Sequence, residues 1–453
     1  MIKLKDDLGL KIAQLINVGL IVLTFVVCWY GYYASHIRTP FYNKGNWLVI
    51  AMFAALYIIF SHIYDSFQVS INRISEMIYS LCLSVFLSDC IMFLVIWMLT
   101  LTFPNMLPGL LTLAVQFFVS IVWSFAAHKW YFSTFPPEKT AVVYDRRYGV
   151  ASLVQEYGLD IKYDIRMRLR AEECLEDLRV FEGMDTVFIC GVQSHERNQL
   201  LKYCVENGVK AYVIPRIGDI IMSGAKPTHM FHLPILQVKR RELTPEGAVI
   251  KRLFDIVSSG IVLVVLSPVM LVTAAAIKLY DGGPVLYKQR RLTKDGAEFE
   301  VFKFRSMRVD AEKDGVARLS TGDKDDRITP VGRIIRKVRI DELPQLINIL
   351  GGDMSVVGPR PERPEIAAQY EEELPEFRLR LQVKAGLTGY AQVYGKYNTT
   401  PYDKLQMDLM YIANPSFLED LRIIFATIKI LFMPESTDGV AAGQTTAVRQ
   451  DKK

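Results

Sequence analysis

Arg336-Lys-Val-Arg-Ile-Asp341-Glu342-Leu-Pro344-Gln345-Leu-Ile-Asn-Ile-Leu350-Gly351-Gly352-Asp353-Met-Ser-Val-Val-Gly358-Pro359-Arg360-Pro361 places two adjacent carboxylates at the head of an apolar run, with bases on both sides. From Leu343 the apolar residues fall at Leu343, Leu346, Ile347 and Leu350, the spacing of one helix face. Pro344 suits the first turn of that helix and Gly351-Gly352 its end. Asp341 and Glu342 then sit at the positive end of a helix dipole, which favours the ionised carboxylate. An ionised aspartate beside Arg336, Arg339 and Arg360 can be a nucleophile towards phosphorus, a metal ligand or a plain helix cap. The stretch alone leaves all three open.

Upstream, Val285–Arg291 and Glu298–Arg305 flank Lys294-Asp295-Gly296, a β-hairpin signal. The second arm runs into Lys303-Phe304-Arg305-Ser306-Met307-Arg308. Thr329-Pro330 then reads as a helix start, with Thr329 the cap and Pro330 the first residue. That helix carries Arg333, Arg336 and Lys337 towards Asp341, so bases from three places gather around one acid pair. A surface helix face would not need Pro359-Arg360-Pro361 held rigidly after it.

Before the hairpin lies an apolar stretch from Lys251-Arg252-Leu253 to Ile277-Lys278, interrupted by Ser267-Pro268. A proline inside a helix removes one hydrogen bond and kinks the chain, and the serine hydroxyl can satisfy a freed carbonyl. Both flanks are basic, with Lys251 and Arg252 before and Lys278, Lys288, Arg290 and Arg291 after. That places both on the cytoplasmic side and predicts a broken, re-entrant membrane helix, with an ordinary fifth span as the alternative. Further upstream, about Ile12–Tyr33, Trp47–Tyr64, Met77–Phe103 and Met106–Ala127 are each long and apolar enough to cross a bilayer, which takes about 20 residues. Bases outside the first and fourth spans put both ends in the cytoplasm. Asp89, inside the third span, reads either as a functional acid or as a hydrogen-bonded bundle residue.

Between the spans and the hairpin, Thr140–Tyr144, Thr186–Cys190 and Ala211–Pro215 read as buried parallel strands, with helices at Glu172–Phe181 and Glu196–Asn207. This rhythm predicts a small doubly wound domain. A nucleotide site there would want a glycine-rich turn after the first strand. Asp145-Arg146-Arg147-Tyr148-Gly149 is bulky and charged instead, so a structural or regulatory domain is expected rather than a cofactor domain. The fold class is therefore a membrane protein, mainly α with α/β parts. It comprises a four-span bundle (1-134), a Rossmann-like domain without a Gly-rich loop (135-245), a re-entrant helix with an α+β catalytic domain (246-434), and a polar tail (435-453) expected to be disordered.

Composition agrees. Of 453 residues 51% are apolar, and the net charge of +5 gives no argument for nucleic acid. Six cysteines end at Cys204 without a C-x-x-C pair, so the later half offers no thiol chemistry and no zinc spacing.

Four segments carry a family resemblance, in order: Lys303-Phe-Arg-Ser-Met307, Asp341-Glu-Leu-Pro-Gln-Leu346, Gly352-Asp-Met-Ser-Val-Val-Gly-Pro-Arg-Pro361 and Lys384-Ala-Gly-Leu-Thr-Gly389. They resemble the bacterial sugar transferases, the monotopic phosphoglycosyl transferases that load a sugar phosphate onto undecaprenyl phosphate. The resemblance spans Ile250 to Met433. With the four spans and the middle domain, the chain looks like the large subgroup that begins exopolysaccharide, capsule or O-antigen repeat units. Ala385 departs from the pattern, where proline is frequent.

The resemblance implies a bacterial inner-membrane enzyme with a cytoplasmic catalytic domain, acting on a UDP-sugar and undecaprenyl phosphate at the lipid bilayer. Asp341 would be the nucleophile, releasing UMP and leaving a phosphosugar-aspartate that undecaprenyl phosphate attacks. Mg2+ would sit at Asp341 and Glu342, and Glu342 would assist acid–base work. Lys303, Arg305, Arg336, Pro359, Arg360 and Pro361 would bind substrate. Lys251, Arg252, Ser267 and Pro268 would set the membrane hairpin. The competing reading is a non-catalytic scaffold that binds nucleotide sugar or lipid, and the intact acid pair with its bases argues against it. The bundle and the middle domain also offer surfaces for a homodimer. The sugar is not legible, because every UDP-hexose presents the same diphosphate.

Overall fold

A computed structural model describes residues 2–42, 44–145, 159–230, 232–309, 311, 325–395 and 399–431. The expected turn at Arg146–Gly149 and the tail 435–453 lie outside the described residues. The chain divides into two compact units, Met1–Pro215 and Arg216–Lys453.

In the first unit, α1 (Leu8–His36), α2 (Lys44–Ile63), α3 (Ile74–Thr100) and α4 (Met106–Thr134) are long and apolar enough to cross a membrane. They share a core that includes Ile21, Phe25, Trp29, Phe53, Tyr57, Leu81 and Trp123. Ser80, Ser84 and Ser88 on α3 and Gln116, Ser120 and Ser124 on α4 are fully buried at four-residue spacing. Small side chains at that spacing let helix backbones approach closely without water. Asp89 Oδ2 is buried with no hydrogen-bond partner among the described residues.

After α4 comes a parallel sheet of β1 (Glu138–Tyr144), β2 (Tyr163–Arg170), β3 (Thr186–Cys190) and β4 (Lys210–Ile214), in the order β2-β1-β3-β4. α5 (Ala171–Glu176) and α6 (Ser194–Glu206) connect the strands. The doubly wound reading of this segment gains a strand, because β2 lies outside the three expected ones. Its sequence, Tyr-Asp-Ile-Arg-Met-Arg-Leu-Arg, alternates apolar and charged residues, as an edge strand with one wet face does. The other three strands carry continuous apolar runs, a pattern that β2 does not share.

The second unit begins with α7 (Ile217–Ser223) and a hairpin of β5 (Lys226–Met230) and β6 (Leu233–Gln237). α8 (Pro245–Asp281) follows, 37 residues of helix that continue through Pro268. At 1.5 Å per residue it would measure about 55 Å if straight, against a hydrocarbon core of about 30 Å. It is also apolar enough to cross a membrane. β7 (Leu286–Leu292) and β8 (Glu298–Phe304) form the expected hairpin, with Asp295 left-handed at its tip.

α9 (Pro330–Lys337) starts as read, with Thr329 Oγ1 accepting from Gly332 N at 2.9 Å. A single 3-10 turn, Ile340–Glu342, leads to α10 (Gln345–Gly351). β9 (Met354–Val357), α11 (Pro364–Glu373), β10 (Ala385–Thr388), α12 (Tyr390–Tyr394), α13 (Pro401–Ala413) and α14 (Phe417–Leu431) complete the unit. β9 pairs in parallel with β10. The core beneath them holds Ile220, Val357, Ile366, Tyr370, Phe377, Leu405, Leu409 and Ile423.

The stripe expected on α10 is shifted. Ile347 is 45% exposed, whereas Ile349 is fully buried. The buried face also contains Gln345 and Asn348, two polar residues that an apolar periodicity does not count. Asn348 Oδ1 accepts from Phe302 N at 2.9 Å, and its Nδ2 donates to Glu300 O at 2.7 Å. This amide replaces a missing strand partner along β8. It also fixes the helix after the acid pair to the strand that carries Lys303.

Candidate active site

Arg339, just before the acid pair, has φ 55°, a left-handed conformation that costs a non-glycine residue roughly 1 kcal/mol or more. The bend takes the chain out of α9 and into the turn Ile340–Glu342. Glu342, 11% exposed at its side chain, is ringed by bases. Lys303 Nζ donates to its Oε1 at 3.0 Å and Arg360 Nη2 to the same oxygen at 2.8 Å, with Arg339 Nη1 4.0 Å from Oε2. Burial works against the ionised form of Glu342, but Arg360, Lys303 and Arg339 together hold its carboxyl well below the usual range.

Asp341 differs. Among the described residues its carboxylate makes no hydrogen bond or ion pair. Burial pushes it up to about 6, the Glu342 charge adds to that, and Lys303, Arg336 and Arg360 pull the other way. Among the described residues it is a carboxylate without a bonded partner in a basic setting. Burial in turn lowers Lys303, against the pull of Glu342.

The segment after β9 is held by its backbone. Gly358 and Gly386 touch back to back, so a Cβ on either would collide with the other strand's main chain. Pro359 O accepts from Gly386 N at 2.9 Å, and Pro361 O from Arg291 Nη1 at 3.0 Å. Arg360 thus projects towards Glu342 from a fixed loop.

Of the sequence-derived site residues, Asp341, Glu342, Lys303, Arg336 and Arg360 converge here. Arg305 does not join them. Its guanidinium forks onto the Asp281 carboxylate at the end of α8, with Nη1 2.7 Å from Oδ2, and its Nε donates to Pro284 O at 2.8 Å. Lys251 and Arg252 are likewise interior anchors. Lys251 Nζ donates to Asp420 Oδ2 at 2.6 Å and to Tyr411 at 3.2 Å. Arg252 takes the Ile349 and Leu350 carbonyls at 2.6 and 2.8 Å, a cation at a helix C-terminus. Ser267 Oγ donates to Val264 O at 2.7 Å, the compensation expected beside Pro268.

Sequence reading missed Glu362, Arg380, Lys404 and Asp408, which form a buried charge cluster behind Arg360. Glu362 directly follows Pro361 and was the one available signal.

Among the described residues no group of three acidic, histidine or cysteine side chains could hold a metal. The Glu342 oxygens already face three cations, so Asp341 is the anionic donor left. That set suits Mg2+ held chiefly by substrate phosphates and water, the usual manner of this ion.

The bacterial sugar transferase family model matches residues 246–434. A UDP-N-acetylgalactosamine-undecaprenyl-phosphate N-acetylgalactosaminephosphotransferase of Aeromonas hydrophila is 38% identical over 239 residues, 52% of this chain and 55% of that protein. A UDP-glucose:undecaprenyl-phosphate glucose-1-phosphate transferase of Klebsiella pneumoniae is 40% identical over 201 residues, 43% of each. The chain spans about half the length of these two curated relatives. The exopolysaccharide production protein PSS of Rhizobium leguminosarum bv. phaseoli is 45% identical over 189 residues, 40% of this chain but 94% of that protein. With a relative of that similarity matched along nearly its whole length, the chain belongs to the bacterial sugar transferase family.

Proposed function

We propose that the protein transfers a sugar 1-phosphate from a UDP-sugar to undecaprenyl phosphate at the cytoplasmic face of a bacterial inner membrane, the first step of a surface polysaccharide repeat unit. The names of the relatives support the reaction. The observation that carries it is the inequality of the acid pair, with Glu342 neutralised by Lys303 and Arg360 and Asp341 left without a partner.

Asp341 attacks the phosphorus that bears the sugar. The bond from that phosphorus to the UMP oxygen breaks, UMP leaves, and the sugar phosphate remains as an acyl phosphate on Asp341. An oxygen of undecaprenyl phosphate then attacks the same phosphorus and returns Asp341 as carboxylate. Phosphoryl transfer of this kind depends on positioning and charge neutralisation, and Lys303, Arg336 and Arg360 supply both. Glu342 holds Lys303 and Arg360 in place, and its depressed pKa suits anchoring better than proton transfer. When bound, Mg2+ would offset diphosphate charge beside Asp341.

The membrane arrangement follows the same reading. α1 to α4 cross the bilayer as a bundle, and α8 enters and returns. Contacts at both ends of α8 support the re-entrant form. Near its start Asp255 Oδ1 accepts from Val356 N at 3.0 Å, and at its end Asp281 pairs with Arg305. Met270, Ala274 and Ile277 also pack against Phe304 and Ile335 of the same domain. A helix held at both ends by one domain keeps both ends on that domain's side.

The test is UMP release from a panel of UDP-sugars with undecaprenyl phosphate and Mg2+. Release with one sugar that is lost in Asp341→Asn and in EDTA supports the reading. Release that survives Asp341→Asn overturns the covalent step.

A further inference from the structure

Arg360 reaches Glu342 from a stretch with no regular structure, yet four consecutive carbonyls of that stretch are each engaged by a different donor. Pro359 O is taken by Gly386 N at 2.9 Å and Pro361 O by Arg291 Nη1 at 3.0 Å. Glu362 O is taken by Leu292 N at 3.0 Å. Arg360 O itself is taken by Arg380 Nη2 at 2.9 Å. Of the four donors Arg380 acts on the functional residue directly, and it is 3% exposed.

Arg380 has its own support. Its Nε donates to Asp408 Oδ2 at 2.9 Å and its Nη2 lies 2.7 Å from the same oxygen, with the Asp408 side chain 1% exposed. Its Nη1 lies 3.5 Å from Glu362 Oε1, which Lys404 Nζ approaches at 3.3 Å. The Phe377 ring lies 4.9 Å beneath the guanidinium. The fork therefore cannot turn without breaking several bonds at once. A lysine in its place has one nitrogen and cannot serve Asp408, Glu362 and the Arg360 carbonyl together.

We propose that Arg380 and Asp408 are positioning residues for the nucleotide sugar, fixing the Arg360 backbone so that its guanidinium meets the diphosphate without rearrangement. The inference rests on the function proposed above. Neither residue touches the substrate. Their work is done on Arg360 before the substrate arrives, when the loop's freedom is already lost, and preorganisation of that kind appears as affinity.

The experiment compares the full-length native protein with Arg380→Lys, with the double variant Arg380→Met/Asp408→Asn, and with Arg378→Lys as an exposed control. The double variant removes both buried charges together and so avoids an unpaired one. UDP affinity is measured by calorimetry, and KM and kcat by UMP release. The expected result is UDP binding about tenfold weaker in both Arg380 variants and KM raised in parallel, with kcat within about threefold and the control unchanged. Unchanged UDP affinity in Arg380→Lys, or a fall in melting temperature without a change in KM, overturns the proposal, as does a native protein that binds no UDP. A native protein that binds UDP but releases no UMP overturns the proposed function instead, and the UDP affinities still decide the role of Arg380.

Discussion

Asp341 and Glu342 occupy one turn and meet different fates because the bases reach only one of them. Glu342 collects Lys303, Arg360 and Arg339, whereas Asp341, half-buried, has no bonded partner among the described residues. Its carboxyl is pushed up to about 6 by burial and by Glu342, and under the proposed mechanism it is the group whose ionisation the first half-reaction needs. UMP release should therefore fall about tenfold per pH unit below 6 and level off above 7, as single-turnover rates across pH 4.5 to 8 would show. Stability runs the opposite way. The folded pKa of about 6 lies above the ordinary 3.8, so protonation favours the folded protein. The contribution is full below pH 3.8 and is lost as pH rises through 6. Asp341→Asn removes that burden and should raise the melting temperature at pH 7.5, an effect on the order of 3 kcal/mol, while changing little at pH 4. At this scale the sequence was legible for the acid pair, Lys303, Arg336 and Arg360, because each lies within a short motif. It was misleading for Arg305, because a motif shows that a residue is needed and not what it touches. Asp281, its partner, lies 24 residues earlier in the chain.

At the scale of elements, α8 is defined by its fastenings. Arg305 and Asp281 close its far end in a pair that is 7% and 27% exposed at the side chains. Losing Arg305 removes the donor that both the Asp281 carboxylate and Pro284 O accept from. Arg305→Ala should therefore lower the melting temperature together with activity. The charge-swapped double variant Asp281→Arg/Arg305→Asp should recover much of both, which loss of a substrate contact would not allow. Thermal melts in detergent beside UMP release separate the two. The elements the sequence missed share one cause. β2 alternates polar and apolar residues, and the buried face of α10 carries Gln345 and Asn348. Both therefore fall outside a search for apolar runs. Asn348 is buried because β8 lacks a neighbour on that side, a fact of tertiary structure that no local pattern contains.

For the whole molecule, the division of labour follows from where the family match lies. The Rhizobium protein is matched along 94% of its length by a segment of 189 residues, so a protein of that size is made of little else. A fragment of residues 216–434 should retain UMP release within about tenfold of the full chain when supplied in lipid. A fragment that binds lipid but is inert would assign the first unit a part in catalysis. The attachment of α8 at both ends also has a mechanical consequence. A free span answers a thinner bilayer by tilting, and a thicker one by thinning the lipid around it. If α8 enters and returns as proposed, a helix bolted at entry and exit to one domain cannot tilt, so its depth is set by the protein and the lipid must adapt. Reconstituted in vesicles whose acyl chains run from 14 to about 20 carbons, the enzyme should hold a nearly constant turnover, where a carrier built of free spans would show an optimum. On the proposed reading, the depth at which the reaction meets the lipid phosphate is a dimension of the protein, fixed when Arg252 and Arg305 close their contacts.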